Sequence, residues 1–105
     1  MSQPTEMKIA EIVRFKLKPG VSDADYIALN QPSHIYSSSI PGFISRTLSK
    51  GEDGEWTDYV LWDNMGSAKA AADGFMAQDW APAMVGAIDE TTMQMTHQQI
   101  LWQPA

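Results

Sequence analysis

Glu11 and His97 are the residues of this chain best placed for proton chemistry. Glu11 interrupts an otherwise apolar row, standing between Ile9 and Val13 at alternate positions. A carboxylate in such a row must be paired, hydrogen-bonded or neutralised. His97 continues an alternation that begins with Met93 and Met95. If the two segments are antiparallel neighbours with Val13 opposite Met95, then Glu11 falls opposite His97 on the same face. A carboxylate there favours the charged imidazolium, and burial opposes it. The pair suits a general base and its orienting group, abstracting a proton from an activated carbon. It equally suits a plain buried hydrogen bond, or a Glu11 that reaches water at its strand end.

Aromatic residues are the second signal. Trp62, Tyr59, Phe15, Tyr36 and Phe75 sit on segments expected to converge, and a mostly apolar ligand pocket is lined this way. Plain core is the commoner use of such residues. Trp56 is expected at the sheet edge or at a seam between subunits, and Tyr26, Asn30 and His34 are expected on a polar rim near Pro32. Two histidines on different elements, without His-x-His or His-Glu-x-x-His spacing, do not predict a metal site. Arg14, Lys16 and Lys18 form a short basic face, expected to pair with Asp58, Asp63 or a partner chain. No glycine-rich phosphate loop or nucleophilic serine elbow is present.

These residues need a sheet to hold them. Residues 7–18 alternate with a period of two and are rich in β-branched and aromatic types, which predicts a strand ended by Pro19-Gly20. Ser22 caps a helix whose first turn carries Asp23 and Asp25, and Pro32 should kink or split that helix near Asn30. Residues 43–50 and 55–63 read as strands joined by the hairpin Gly51-Glu52-Asp53-Gly54. The third strand is apolar at both parities, with Val60 and Trp62 on one face and Tyr59 and Leu61 on the other, so both faces should be covered. Asn64 caps a second helix built on Ala68, Ala71, Ala72, Phe75 and Met76. Asp79 is expected to cap a shorter helix containing Pro82, and residues 90–102 are expected to form the last strand. The order is the split βαβ plan, ferredoxin-like βαββαβ, an α+β fold with a four-stranded antiparallel sheet in strand order 4-1-3-2.

Composition bounds the rest. The 105 residues allow one domain, read as residues 7–105 behind a flexible N-terminal arm over residues 1–6. There is no cysteine, which excludes disulfides, thiolate metal sites and cysteine nucleophiles. A formal charge of −6 argues against nucleic acid as a partner. No apolar run approaches a membrane span and no leader pattern is visible, so the expectation is a cytoplasmic protein without a membrane partner.

Three phrases, Val13-Arg14-Phe15-Lys16-Leu17-Lys18-Pro19-Gly20-Val21, Ile40-Pro41-Gly42-Phe43-Ile44 and Tyr59-Val60-Leu61-Trp62-Asp63, occur at a suggestive spacing. With the alanine-rich stretch from Ala68 to Ala72 and the Met-x-Met-x-His run ending at His97, the chain resembles the dimeric α/β-barrel superfamily. More narrowly, it resembles small proteins of the antibiotic-biosynthesis-monooxygenase type. The resemblance implies a homodimer in which two sheets face each other as a barrel, and cofactor-independent chemistry of a monooxygenase-like or isomerase- or cyclase-like kind. A small apolar or aromatic molecule would lie between sheet and helices. A non-catalytic ligand-binding or stress-responsive dimer is the alternative that this fold also serves. The haem-degrading branch uses an Asn on strand one with a Trp and a His on the second helix. Here those places hold Val13, Ala72 and approximately Pro82, which argues against haem degradation.

Overall fold

The computed structural model describes residues 7–104, so the expected arm over residues 1–6 lies outside the described residues. Strand β1 (Ile9–Leu17) leads into α1 (Asp23–Leu29) and α2 (Gln31–Ser38). Strands β2 (Phe43–Lys50) and β3 (Trp56–Trp62) follow as a hairpin, then α3 (Met65–Phe75), α4 (Ala81–Gly86) and β4 (Ile88–Gln99). All strand pairs are antiparallel and the sheet order is β2-β3-β1-β4. This is the expected ferredoxin-like βαββαβ plan, with each helical segment broken in two.

Local chemistry sets the breaks. Ser22 accepts from the Asp25 amide at 3.1 Å and starts α1. Pro32 lies in the first turn of α2, where its missing N–H costs nothing, and the helix divides at Asn30. Asn64 caps α3 by accepting from the Ser67 amide at 2.8 Å. Gly42 precedes β2 at φ +98°, and a Cβ there would collide with the Ser67 side chain, so the turn admits only glycine. Asp79 does not cap α4. Trp80 holds the cap position without a side-chain bond, because an indole has no acceptor to offer the first helical amides.

The last strand departs from expectation. It begins at Ile88 and ends at Gln99, and its pairing with β1 jumps from Arg14↔Gln94 to Lys16↔Asp89. The extra residues form a bulge. Asp89 Oδ1 accepts from the Thr91 amide at 3.1 Å and its hydroxyl at 2.6 Å, while Thr92 Oγ1 accepts from the Lys16 amide at 2.8 Å. Those Thr91 bonds hold the Asp89 carboxyl below its ordinary pKa. The bulge changes parity, so that Ile88 and Met95 come to lie on the same face.

All helices cover one face of the sheet. That face carries Ile9, Phe15, Val60 and Trp62 at 6% exposure or less. The buried side chains form two clusters. One joins Phe15, Tyr26, Trp56, Met84, Ala87 and Ile88; the other joins Ile9, Val60, Trp62, Ala68 and Ala71. Trp56 is therefore core, not an edge or seam residue. It stacks on Phe15 at 6.4 Å and meets Tyr26 edge-on at 5.2 Å.

Candidate active site

A cavity of about 300 Å3 lies between the two clusters, walled by members of both. Small residues make the room: Ala71 and Ala72 of α3 face it, opposite Val13 and Val60 on the strands. Phe75, Met76, Met84 and Val85 supply the helical side, and Met93 and Met95 the β4 side. Met76, Met93 and Met95 remain 61%, 43% and 52% exposed, so flexible thioethers border the opening.

Glu11 enters this wall from the first half of β1. The register is the one anticipated, with Val13 opposite Met95 and Glu11 opposite His97. Glu11 Oε2 lies 3.0 Å from His97 Nε2, and Oε1 accepts from Trp62 Nε1 at 3.4 Å. The Glu11 side chain is 12% exposed and that of His97 26%. The carboxylate lines the cavity; His97 stands behind it, outside the lining. A carboxylate, a ring nitrogen and an indole donor in this arrangement can accept and pass on a proton.

Of the aromatic candidates, Phe15, Tyr36, Trp62 and Phe75 line the cavity. Tyr36 also donates to the Ala71 carbonyl at 2.7 Å, pinning α2 to α3, and burial raises its pKa. Tyr59 does not join them. It pairs with Ile12 on the face turned away from the helices, because positions 59 and 62 have opposite parity on a regular strand. His34 packs edge-on against Phe43 at 5.9 Å and borders a separate outer groove with Ile27, Gln31 and Leu48.

The structure adds a polar cluster that the sequence reading did not contain. Arg46 Nε and Nη2 reach the two Asp58 oxygens at 3.0 and 2.7 Å. Nη2 also donates to Asn30 Oδ1 at 2.5 Å, and Nη1 to Ser33 Oγ at 2.6 Å. Four of the five guanidinium donors are thus used in a bidentate, buried pair that ties β2 and β3 to the α1–α2 junction. Asp58, expected to neutralise the basic face of β1, instead points to the helices with Val60 and Trp62. The bulge in β2 between Phe43 and Ser45 hides Arg46 from a strict period of two. It flips parity, and places Arg46 beside Val60 on the covered face. The shared parity of Arg46 and Leu48 was the available signal.

Tyr26 lies against this cluster. It is fully buried, no protein group meets hydrogen-bond geometry at its hydroxyl, and burial pushes its pKa up to about 12 against the opposing influence of the nearby Asn30 amide. Among the described residues no group of three or more His, Cys, Asp or Glu side chains is placed to hold a metal ion, and no helix is long and apolar enough to cross a membrane.

No family model matches the chain, and comparison with curated proteins finds no match. Solved structures do match. A protein described as a candidate antibiotic biosynthesis monooxygenase from Bordetella bronchiseptica superposes with a TM-score of 0.76 at 19% identity, over 92% of this chain and 100% of the other. SnoaB of Streptomyces nogalater, a cofactor-independent oxygenase, gives 0.63 at 15% identity over 94% and 96%. The ActVA-Orf6 monooxygenase of Streptomyces coelicolor, solved with the ligand nanaomycin D, gives 0.73 at 15% over 94% and 92%. The chain therefore has the fold of the antibiotic-biosynthesis-monooxygenase proteins, as its sequence phrases suggested.

Proposed function

We propose that this chain is a cofactor-independent, monooxygenase-like enzyme acting on a small aromatic molecule held between sheet and helices. One observation carries the reading: the Glu11 carboxylate stands in the wall of an otherwise largely apolar cavity, backed by His97. Binding would be driven by burial of an apolar ring system against Val13, Val60 and Phe75. Glu11 would then take a proton from an acidic O–H or C–H of the ligand. An electron-rich phenolate can itself reduce dioxygen, so a phenol and O2 would give a quinone and water without a protein-bound redox group. The oxygenase activities of the two Streptomyces proteins of the same fold agree with this choice. Isomerase- or cyclase-like chemistry would use the same proton removal without consuming oxygen.

The test is a panel of hydroxylated two- and three-ring aromatic compounds. A ligand at a hundredfold excess over its Kd stabilises the fold by about 2.7 kcal/mol, which a thermal-shift assay reads as a rise in Tm. Oxygen uptake with the stabilising compounds, lost in Glu11→Gln, is the expected result. Conversion without oxygen uptake would transfer the reading to the isomerase class. Stabilisation with no conversion in any form would leave a ligand-binding protein.

We also propose that the working unit is a homodimer. Ile12, Tyr59 and Leu61 form a half-buried apolar patch on the helix-free face of the sheet. A second copy of that face would cover it.

A further inference from the structure

We propose that Glu11, His97 and Trp62 form a proton exit from the cavity to solvent, with Glu11 the inner carrier, His97 the outer carrier and Trp62 the positioning residue. This rests on the cavity being a substrate site. The order follows from placement. Glu11 and Trp62 line the cavity and His97 does not. Trp62 is 1% exposed, whereas His97 belongs to the edge strand β4 and its side chain reaches solvent.

The two carboxylate oxygens have different partners. Oε1 accepts from the indole Nε1 at 3.4 Å. An indole N–H only donates, so no proton leaves by that route, but the contact fixes the rotation of the carboxylate. Oε2 lies 3.0 Å from His97 Nε2. An imidazole accepts on one ring nitrogen while it holds a proton on the other, so it alone of the two neighbours can pass a proton onward.

The transfer balances in three moves. The ligand X–H bond breaks, its electron pair stays on X, and the proton joins the Glu11 carboxylate. The resulting carboxyl gives a proton to the lone pair of His97 Nε2, where neutral His97 carries its own proton on Nδ1. The imidazolium then releases the Nδ1 proton to water and is left as the Nε2–H tautomer; exchange with water at the solvent-reaching ring returns the proton to Nδ1 before the next turnover. One proton has moved from ligand to solvent, the negative charge remains on X, and the Glu11 carboxylate is restored. No electron passes to or from the protein.

Two measurements test the exit. The first needs no substrate. In a nitrogen-15 NMR titration of the full chain, protonation of His97 should shift the Trp62 indole N–H resonance, because both groups share Glu11. The shift should vanish in Glu11→Gln. A Trp62 resonance that stays still while His97 titrates overturns the proposal. The second uses any compound of the panel above that is turned over. His97→Ala should lower kcat by about 10- to 100-fold with little change in KM. Added imidazole should restore a substantial part of it, since the vacated position opens to solvent. Trp62→Phe, which keeps the aromatic face and loses the N–H, should lower kcat and leave KM alone; a stacking role predicts no such loss. Imidazole should do nothing for Glu11→Gln. If Glu11→Gln turns over at the normal rate, the catalytic reading of the cavity fails. If Glu11→Gln is inactive and His97→Ala is as fast as the unaltered protein, the site stands and the exit falls.

Discussion

Tyr26 shows how a single hydroxyl can cost stability and report it through pH. Its ring belongs in the core, edge-on to Phe15 at 5.4 Å and to Trp56 at 5.2 Å, but its hydroxyl is buried without a partner. An unsatisfied buried hydroxyl costs about 1–3 kcal/mol. Tyr26→Phe should therefore be neutral or stabilising at pH 7. The folded pKa of about 12 stands above the ordinary 10, so the protonated form favours the folded state. That preference is fully present below pH 10 and is lost as pH climbs from 10 through 12. Two units correspond to about 3 kcal/mol at most. Urea unfolding at pH 8 and pH 11 should show a smaller loss in Tyr26→Phe than in the unaltered protein; equal losses would place the alkaline sensitivity elsewhere. Asp58 makes the opposite case. Asp58→Ala strands the Arg46 guanidinium, whose side chain is 8% exposed, and should cost about 3–5 kcal/mol. Arg46→Met combined with Asp58→Leu should recover most of that loss, measured by the same unfolding experiment.

At the scale of the elements, alternation made most of the fold legible. The odd row of β1, the two-sided apolarity of β3 and the Asp53-Gly54 hairpin sufficed for the strand order, and Pro32 marked the break at Asn30. The pairing of Glu11 with His97 was readable because β1 and β4 are regular between Ile9 and Arg14. What could not be read were the two bulges. Each inserts residues that shift parity, in β2 before Ser45 and in β4 after Asp89. They turn Arg46 inward and place Ile88 on the face of Met95, outcomes that a strict period of two denies. Tyr59 was misplaced for a simpler reason: no regular strand puts it on the face of Trp62. Helix packing offers a test of its own at Gly74. A Cβ there would lie 2.5 Å from the Tyr36 hydroxyl, which donates to Ala71. Gly74→Ala gains about 1 kcal/mol of helix propensity but drives that hydroxyl away. It should destabilise the unaltered protein and stabilise Tyr36→Phe, where the nearest ring carbon stands at 3.5 Å. A double-mutant cycle reads this reversal of sign directly.

For the whole molecule, the sheet has one face under helices and one without them. The cavity belongs to the first, on the helical side. The proposed dimer belongs to the second, through Ile12, Tyr59 and Leu61, which lie on the sheet face opposite to Glu11 and Trp62. The two functions are therefore separable by substitution. Leu61→Lys would put a charge from each protomer near the centre of a twofold contact, where burial without a partner is costly. Light scattering should give twice the 11.6 kDa protomer mass for the unaltered protein and the protomer mass for Leu61→Lys. Each protomer carries a net charge of −6, so the dimer should also tighten as salt screens the repulsion between copies. The monomeric variant should unfold at lower temperature, because its apolar patch is left wet, yet keep its affinity for a cavity ligand. If Leu61→Lys stays dimeric, the contact lies on another surface. If it becomes monomeric and loses the ligand as well, the second copy supports the cavity through the sheet, and the separation of the two faces is wrong.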